Sequence, residues 1–311
     1  MKILITGGAG FIGTKLCKKL NEKYEIIVFD NFSEQIHGKK EYDFVKNVKY
    51  TIGDVTNVKD WEKVMSQNPD VIIHLAAETG TGQSMDEITK YVRTNIIGTS
   101  VMLEYLNRNE TNVKKIILSS TRAVYGELEN FSDTLIVDPK SVYAVTKLSQ
   151  ENLIKVSSKV PYTILRYQNV FGDGQSLNNP YTGIISIFSN LFLKNKPITI
   201  FDNGVPTRDF VYVEDVVDAT ILCIENNISD FKTYDVGTGN DIKIIDVTKK
   251  LKQIFRSDSE IIVSDYHRLG DIIHAKANIT NIQTDLNWVT KYSVDDGLNI
   301  FYNWFKQKKN I

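Results

Sequence analysis

An α/β fold with a doubly wound parallel Rossmann sheet and a smaller mixed α/β substrate-binding lobe toward the C-terminus is predicted by three observations. Short β-branched runs alternate with amphipathic stretches of helical length through the first half of the chain. A glycine-rich turn joins the first run to the first helix, and the later elements become short and mixed. In order, the first half reads "KILIT" as a strand, "FIGTKLCKKLN" as a helix, and "EIIVFD" and "VKYTI" as strands. A helix "VKDWEKVMSQ", a strand "DVIIHLA" and a long helix "ITKYVRTNIIGTSVMLEYLNRN" follow. The strand "VKKIILSS", the helix "SVYAVTKLSQENLIKVSS" and the strand "PYTILRY" complete this half. Apolar strands separated by helices are successive βαβ units, whose right-handed crossovers wind the sheet in both directions. Beyond Tyr167 come "GIISIFSNLFLKN", "PITIF", "DFVYV", "VVDATILCIENN", "KTYDVG" and a Lys-tipped helix around "GLNIFYNWFKQKK". The expected division is residues 1–167 for a dinucleotide-binding domain and 168–311 for a substrate lobe, with some segments returning to the sheet.

Composition narrows the classes of function. Of 311 residues, 42% are hydrophobic and 24% charged, far from the signature of a disordered chain. The 37 Lys and Arg nearly balance 38 Asp and Glu, so no global field recruits nucleic acid or an anionic membrane. Cys17 and Cys223 sit in separate apolar segments, as expected of reduced core thiols rather than a disulfide framework. With no signal-peptide pattern and no apolar run of spanning length, a cytoplasmic protein is expected.

"ITGGAGFIG" places Gly7, Gly10 and Gly13 at the turn from first strand to first helix, with Phe11 and Ile12 between them. Such glycines let the backbone approach a pyrophosphate, which rests on the unpaired amides and positive dipole end of the helix. Asp30, followed by Asn31, ends the second strand, where a carboxylate accepts from a ribose 2′-hydroxyl and repels a 2′-phosphate. That favours NAD over NADP. Asp54 and Val55 follow the third strand and are placed to flank an adenine, although Asp54 serves equally well as the cap of the next helix. After the fourth strand, Leu75, Ala76 and Ala77 leave room for the cofactor. His74 reads as a packed strand histidine; no second His or Cys stands near it, and no metal site is expected.

Tyr143 and Lys147 stand four residues apart in "SVYAVTK", on one face of a helix. A tyrosine acting as a base near neutral pH needs its phenolate stabilised by about 3 pH units, roughly 4 kcal/mol. A lysine ammonium one turn away supplies part of this, and an oxidised nicotinamide supplies a second positive charge. Thr121, ending the fifth strand, is the natural hydroxyl to bridge substrate and phenol; Ser119 and Ser120 compete for that role.

The ordered motifs "GGAGFIG", "GDV", "HLAA", "NIIGT", "SST" with "VYG", "YAVTK", "LRYQNVFG", "TRDFVYVEDV" and "HRLGDI" resemble the extended short-chain dehydrogenase/reductase superfamily, specifically its nucleotide-sugar epimerases and dehydratases. The resemblance spans nearly the whole chain. It implies oxidation of a sugar C4 hydroxyl by a tightly held NAD, with Thr121, Tyr143 and Lys147 catalytic and Asn95 supporting the site. It also places Ser119 at the cofactor, and Asn169, Arg208 and Arg268 against the nucleotide and diphosphate. An Arg fork suits phosphate oxygens, but without the resemblance either Arg reads rather as a surface cation in a salt bridge with Asp209 or Asp271.

Dehydratases of this kind carry Asp-Glu where this chain has Arg122 and Ala123, and related decarboxylases keep a Glu at the second place. A cation and a methyl cannot perform that acid and base work, and the cysteines lie in the wrong elements for a 3,5-epimerase/reductase. What remains is C4 epimerisation of a nucleotide-diphosphate sugar. "AAETGTGQSM" and "LRYQNVFGDGQSLNNPYTG" are similar to a branch of 4-epimerases that act on dTDP-L-rhamnose. Thr79, Thr81, Gln83 and Ser84 would then line the hexose pocket with Thr121 and Arg122; otherwise they form hydroxyl-bonded turns. The alternatives are a C4 dehydrogenase or 4-ketoreductase with net redox turnover, and a catalytically silent NAD sensor. The resemblance further implies a homodimer through two long helices.

Overall fold

The computed structural model describes residues 1–38, 42, 44–127, 137–177, 179, 181, 183–267 and 271–310. Its centre is a seven-stranded, all-parallel sheet. The first six strands in chain order are β1 (Lys2–Thr6), β2 (Glu25–Asp30), β3 (Val48–Ile52), β4 (Val71–His74), β5 (Lys115–Thr121) and β6 (Tyr162–Tyr167). The seventh, Lys232–Val236, comes from the second half of the chain and pairs with β6 at the edge, giving the order Lys232–Val236, β6, β5, β4, β1, β2, β3. Chain direction across the sheet reverses between β1 and β4, and ligands of such sheets bind outside the carboxyl ends at that crevice.

Strands covered on both faces read as unbroken apolar runs, because alternate side chains enter opposite cores. Ile3 and Ile5 of β1 join Leu16, Val217 and Phe301 on one side, while Leu4 joins Trp61, Met102 and Ile154 on the other. Trp61 is fully buried edge-on to Phe29, and its indole N–H donates to the Val55 carbonyl at 2.8 Å. Burying so large a ring requires that bond, since an unpaired indole N–H would offset part of the hydrophobic gain. The first of these cores runs on without a break into the C-terminal half, through Phe192, Ile198, Leu251 and Phe305. There the strands are short pairs: Asn169–Phe171 with Phe210–Tyr212, Thr207–Arg208 with Ile242–Lys243, and Ile198–Ile200 with Ile261–Val263. The terminal helix Val294–Lys309 starts at a Ser293/Asp296 capping box and ends in three lysines, both favourable to its dipole.

One predicted helix is broken into three. Ile88–Tyr91 and Gly98–Arg108 are α-helical, but Val92–Ile97 between them winds as a π-helix. Apolar periodicity does not register a local widening of this kind, which often marks a functional segment. Here the widened turn contains Asn95 and runs into Gly98, where a Cβ would lie 2.6 Å from a Val55 methyl. Among the described residues no helix is long and apolar enough to cross a membrane.

Candidate active site

The turn after β1 is closed by sterics that only glycine satisfies at two positions. Gly7 takes φ +67°, and a Cβ there would meet the Ala76 amide nitrogen at 2.8 Å; a Cβ on Gly13 would stand 2.5 Å from the Gly8 Cα. The following helix, Phe11–Leu20, has Gly10 as its cap, with no capping side chain and no acidic residue in its first turn. The amides of Phe11, Ile12 and Gly13 therefore face no competing carboxylate and suit a pyrophosphate. Asp30 is oriented by two backbone donors, Ala9 N–H to Oδ2 at 3.0 Å and Phe32 N–H to Oδ1 at 2.8 Å. Each oxygen keeps a lone pair for a ribose hydroxyl, so the cradle fits NAD. Asn31 is exposed and turns back to accept from Ser33 N–H.

Asp54 does not cap the third helix, Val58–Met65, which follows Phe11–Leu20 and the short Glu34–His37. Asn57 does so, accepting from Lys59 N–H, while Asp54 Oδ1 accepts from both the amide and hydroxyl of Thr56 and stays partly exposed. Val55 is buried against Gly98. Leu75, Ala76 and Ala77 follow β4 as partly buried chain, with Ala76 N–H bonded to the Thr6 hydroxyl at 3.2 Å.

His74 lies at the carboxyl end of β4 beside that crevice, and its tautomer follows from its partners. The Thr99 hydroxyl donates its one proton to the Asn95 carbonyl at 2.7 Å, so His74 Nε2–H donates to Thr99 at 3.1 Å. Nδ1 then accepts from the Thr6 hydroxyl at 2.8 Å. Burial, and secondarily the charge of Lys147, pushes the imidazole pKa down to about 3. Because the folded value lies below the ordinary 6.5, the unfolded chain takes up a proton first as pH falls. Stability from this group is therefore intact above pH 6.5 and drains away between 6.5 and about 3. Urea titrations at pH 7 and 5 are expected to show a loss on the order of 2 kcal/mol from His74.

The three residues expected to carry proton transfer are Thr121 at the end of β5, and Tyr143 and Lys147 on one helix. Ser141 caps the helix Val142–Ser157, accepting from Ala144 N–H, and thereby sets Tyr143 and Lys147 one turn apart. Tyr143 is partly buried, packed edge-on to Tyr91; burial raises its pKa, whereas the Thr121 hydroxyl donating toward it and the charge of Arg122 lower it. Lys147 is 2% exposed, and burial pushes its ammonium down to about 7 against the opposing pull of Glu151. Of the competing hydroxyls, Ser120 is committed to Glu151 at 2.5 Å, while Ser119 stays partly exposed. Thr121 Oγ1 accepts from Ala123 N–H at 3.2 Å, leaving its proton for the phenol. Asn95 is fully buried: its amide donates to Glu78 O and Thr146 Oγ1, and its carbonyl accepts from Glu78 N–H. It thus fastens the chain after β4 to the catalytic helix.

Of the residues expected to meet the nucleotide and diphosphate, Arg208 is buried, not a surface cation. It pairs with Asp271 at 2.5 Å and donates to the Thr207 and Ile273 carbonyls. Asp209 instead accepts from Thr238, Gly239 and Ala277. Arg122 faces the charge of Arg208, and burial with that repulsion pushes its pKa down to about 9. Arg268 lies outside the described residues. Gln83 and Ser84 turn inward: Gln83 bonds Gln35 and Glu87, and Ser84 Oγ donates to the Thr81 carbonyl, the hydroxyl-bonded turn that was the alternative for this loop. Thr79 is exposed and Thr81 partly so.

Two residues of this region escaped the reading of motifs. Glu151 is fully buried one turn after Lys147, a spacing visible in the sequence. Gln168 precedes Asn169 just past the end of β6, and Arg122 follows the neighbouring β5, the last paired residues of the two strands being Thr121 and Tyr167. Four buried polar atoms at this edge have no partner among the described residues: Arg122 Nη1, both amide atoms of Gln168, and Asn169 Oδ1. A buried amide without partners costs on the order of 1–3 kcal/mol. Gln168→Met, similar in shape and apolar, is therefore expected to raise stability by about 1 kcal/mol in a urea titration.

The comparisons agree with one another. Residues 3–237 match the model of the NAD dependent epimerase/dehydratase family. A dTDP-L-rhamnose 4-epimerase from Burkholderia thailandensis is 33% identical, over 99% of this chain and 95% of its own. A UDP-glucose 4-epimerase of Thermotoga maritima, solved with UDP-glucose, superposes with a TM-score of 0.91 at 33% identity, covering 99% of this chain and all of that one. A UDP-glucuronic acid 4-epimerase of Bacillus cereus, solved with UDP-glucuronic acid and NAD, gives 0.89 at 30% identity over 99% of this chain and 100% of its own. With the glycine cradle at the first βα turn, the Thr121 hydroxyl directed at the Tyr143 phenol, and Lys147 buried one turn further along the same helix, that match has a physical basis: this chain belongs to the NAD dependent epimerase/dehydratase family.

Proposed function

We propose that this enzyme interconverts C4 epimers of a nucleotide-diphosphate sugar, taking a dTDP-6-deoxyhexose. The observation that carries the reaction type is the Thr121 hydroxyl at the end of β5 directed at Tyr143, with Lys147 buried one helical turn on, and Arg122 and Ala123 after Thr121 rather than a carboxylate pair. Bound NAD supplies the hydride chemistry at C4. The chain supplies the proton chemistry: Tyr143 takes the C4 hydroxyl proton through Thr121, Lys147 stabilises the phenolate electrostatically, and Tyr143 returns the proton after the 4-keto ring has turned. Neither Arg122 nor Ala123 can abstract a C5 proton, which favours return of the same atoms to C4 over elimination.

Gly7, Gly10, Gly13 and Asp30 are assigned to NAD, and Asn169, Arg208 and Arg122 to the sugar nucleotide. Residues 1–167 then form the cofactor half and 168–311 the substrate half. Similarity to the Burkholderia enzyme supports the dTDP-6-deoxyhexose, whose C6 methyl asks for no polar partner. A cytoplasmic homodimer is part of the same reading; elution at the mass of one 35.4 kDa chain would count against the dimer. The test is an NMR assay of dTDP-, UDP-, GDP- and CDP-hexoses without added cofactor, with identification of the nucleotide released on denaturation. Inversion at C4 with NAD released supports the proposal. Stoichiometric NADH turnover would replace it with a dehydrogenase or ketoreductase, and no C4 chemistry on any sugar would remove it.

A further inference from the structure

Glu151 is the one carboxylate of the helix Val142–Ser157, and neither its position nor its partners are those of a surface ion pair. It is fully buried. Oε1 accepts from Ser120 Oγ at 2.5 Å and Arg166 Nε at 2.9 Å; Oε2 accepts from Arg166 Nη2 at 2.6 Å and Lys155 Nζ at 3.3 Å. Ser120 is the neighbour of Thr121 on β5, Arg166 belongs to β6, and Lys147 precedes Glu151 by one helical turn. One carboxylate thus touches or faces every element that carries the proton path.

We infer that Glu151 is a positioning residue for the reaction: it holds the ammonium charge of Lys147 and, through Ser120, the end of the strand that presents Thr121. The inference rests on the proposed roles of Tyr143 and Lys147. Lys147 feels the charge of Glu151 one turn along its helix, as Tyr143 stands one turn before it, and it acts on His74 from β4, which is neutral. Glu151 is therefore the anion among these groups that opposes the cost of burying the ammonium. Behind it, the Arg166 guanidinium stacks 4.7 Å over the Tyr125 ring, and Tyr125 donates to Asp235 at 2.7 Å. Asp235, on the edge strand Lys232–Val236, also accepts from Asn278 N–H. This second layer fixes Arg166, and with it the carboxylate, against rotation.

The consequence has a defined sign. Tyr143 and Lys147 compete to lose the first proton, and only the phenolate–ammonium form is productive. Without the Glu151 charge, Lys147 gives up its proton at lower pH, so the alkaline side of the profile fails first. Removing a charge one turn away is expected to move that limb down by about one pH unit, roughly a tenfold loss of kcat on that side, with KM little changed.

The test is kcat and KM for the sugar nucleotide from about pH 6 to 9 in Glu151→Gln and Glu151→Asp. Glu151→Gln should show the lowered alkaline limb, and Glu151→Asp, which keeps the charge, should restore its position. Should Glu151→Gln fail to fold because Arg166 is left buried and unpaired, Arg166→Gln takes its place: it keeps the carboxylate, held by Ser120 and Lys155, but removes the cation that neutralises it, and the alkaline limb should then move up, an unmoved or lowered limb overturning the inference. An alkaline limb that coincides with the wild type in a folded, NAD-retaining variant overturns the inference. Full activity in Tyr143→Phe would instead overturn the roles on which it rests, and the two failures are separately visible.

Discussion

Tyr143→Phe is expected to lower turnover by about 10²–10⁴-fold, the usual contribution of a positioned acid or base, while leaving the fold and the bound NAD in place. The expectation rests on the loss of one oxygen. Tyr143 is only partly buried and its ring packs edge-on to Tyr91, an arrangement that Phe reproduces. Thr121 loses the partner toward which it donates but keeps its bond from Ala123 N–H. Steady-state rates on the active sugar nucleotide, beside thermal unfolding and the nucleotide content of the purified variant, separate chemistry from folding. Turnover within tenfold of the wild type would move the proton transfer elsewhere, with Thr121 the first alternative.

Gly13→Ala is expected to abolish cofactor retention and, with it, activity. The added methyl would stand 2.5 Å from the Gly8 Cα and 2.7 Å from the Gly7 carbonyl oxygen, both backbone atoms that cannot swing aside. The helix Phe11–Leu20 must then lift off the turn, costing on the order of 1–3 kcal/mol and displacing the amides that face the pyrophosphate. Absorbance of NAD released on denaturation reads the cofactor, and urea titration reads the stability. A variant that keeps a full complement of NAD would show that the turn tolerates more spread than the close approach allows.

The parallel sheet was legible because its strands are unbroken apolar runs and its first turn cannot be built without glycine. Tyr143 and Lys147 were legible because helical spacing alone puts them on one face. Less could be read where a side chain has two plausible partners. Nothing local distinguishes Asp54 from Asn57 as the cap of the third helix; geometry gives the cap to Asn57. Arg208 reads as a surface cation until the fold buries it beside Asp271. Gln83 and Ser84 looked like pocket polarity, but Gln35, far off in the chain, and the Thr81 carbonyl claim them. Glu151 drew no notice because its meaning depends on Ser120 and Arg166, which only strand pairing brings to it.

The interior that runs from Ile3 and Leu16 through Phe192 to Phe305 bears on how such a chain can be recombined. A fragment ending at residue 167 would lack the strand Lys232–Val236, leaving the amides and carbonyls of β6 as an open edge. It would also strip Val217 and Phe301 from the apolar face of β1. Residues beyond 167 are thus part of the wall of the sheet built by the first half. New sugar specificity is more readily grafted as loops at the carboxyl edge than by exchanging halves between relatives.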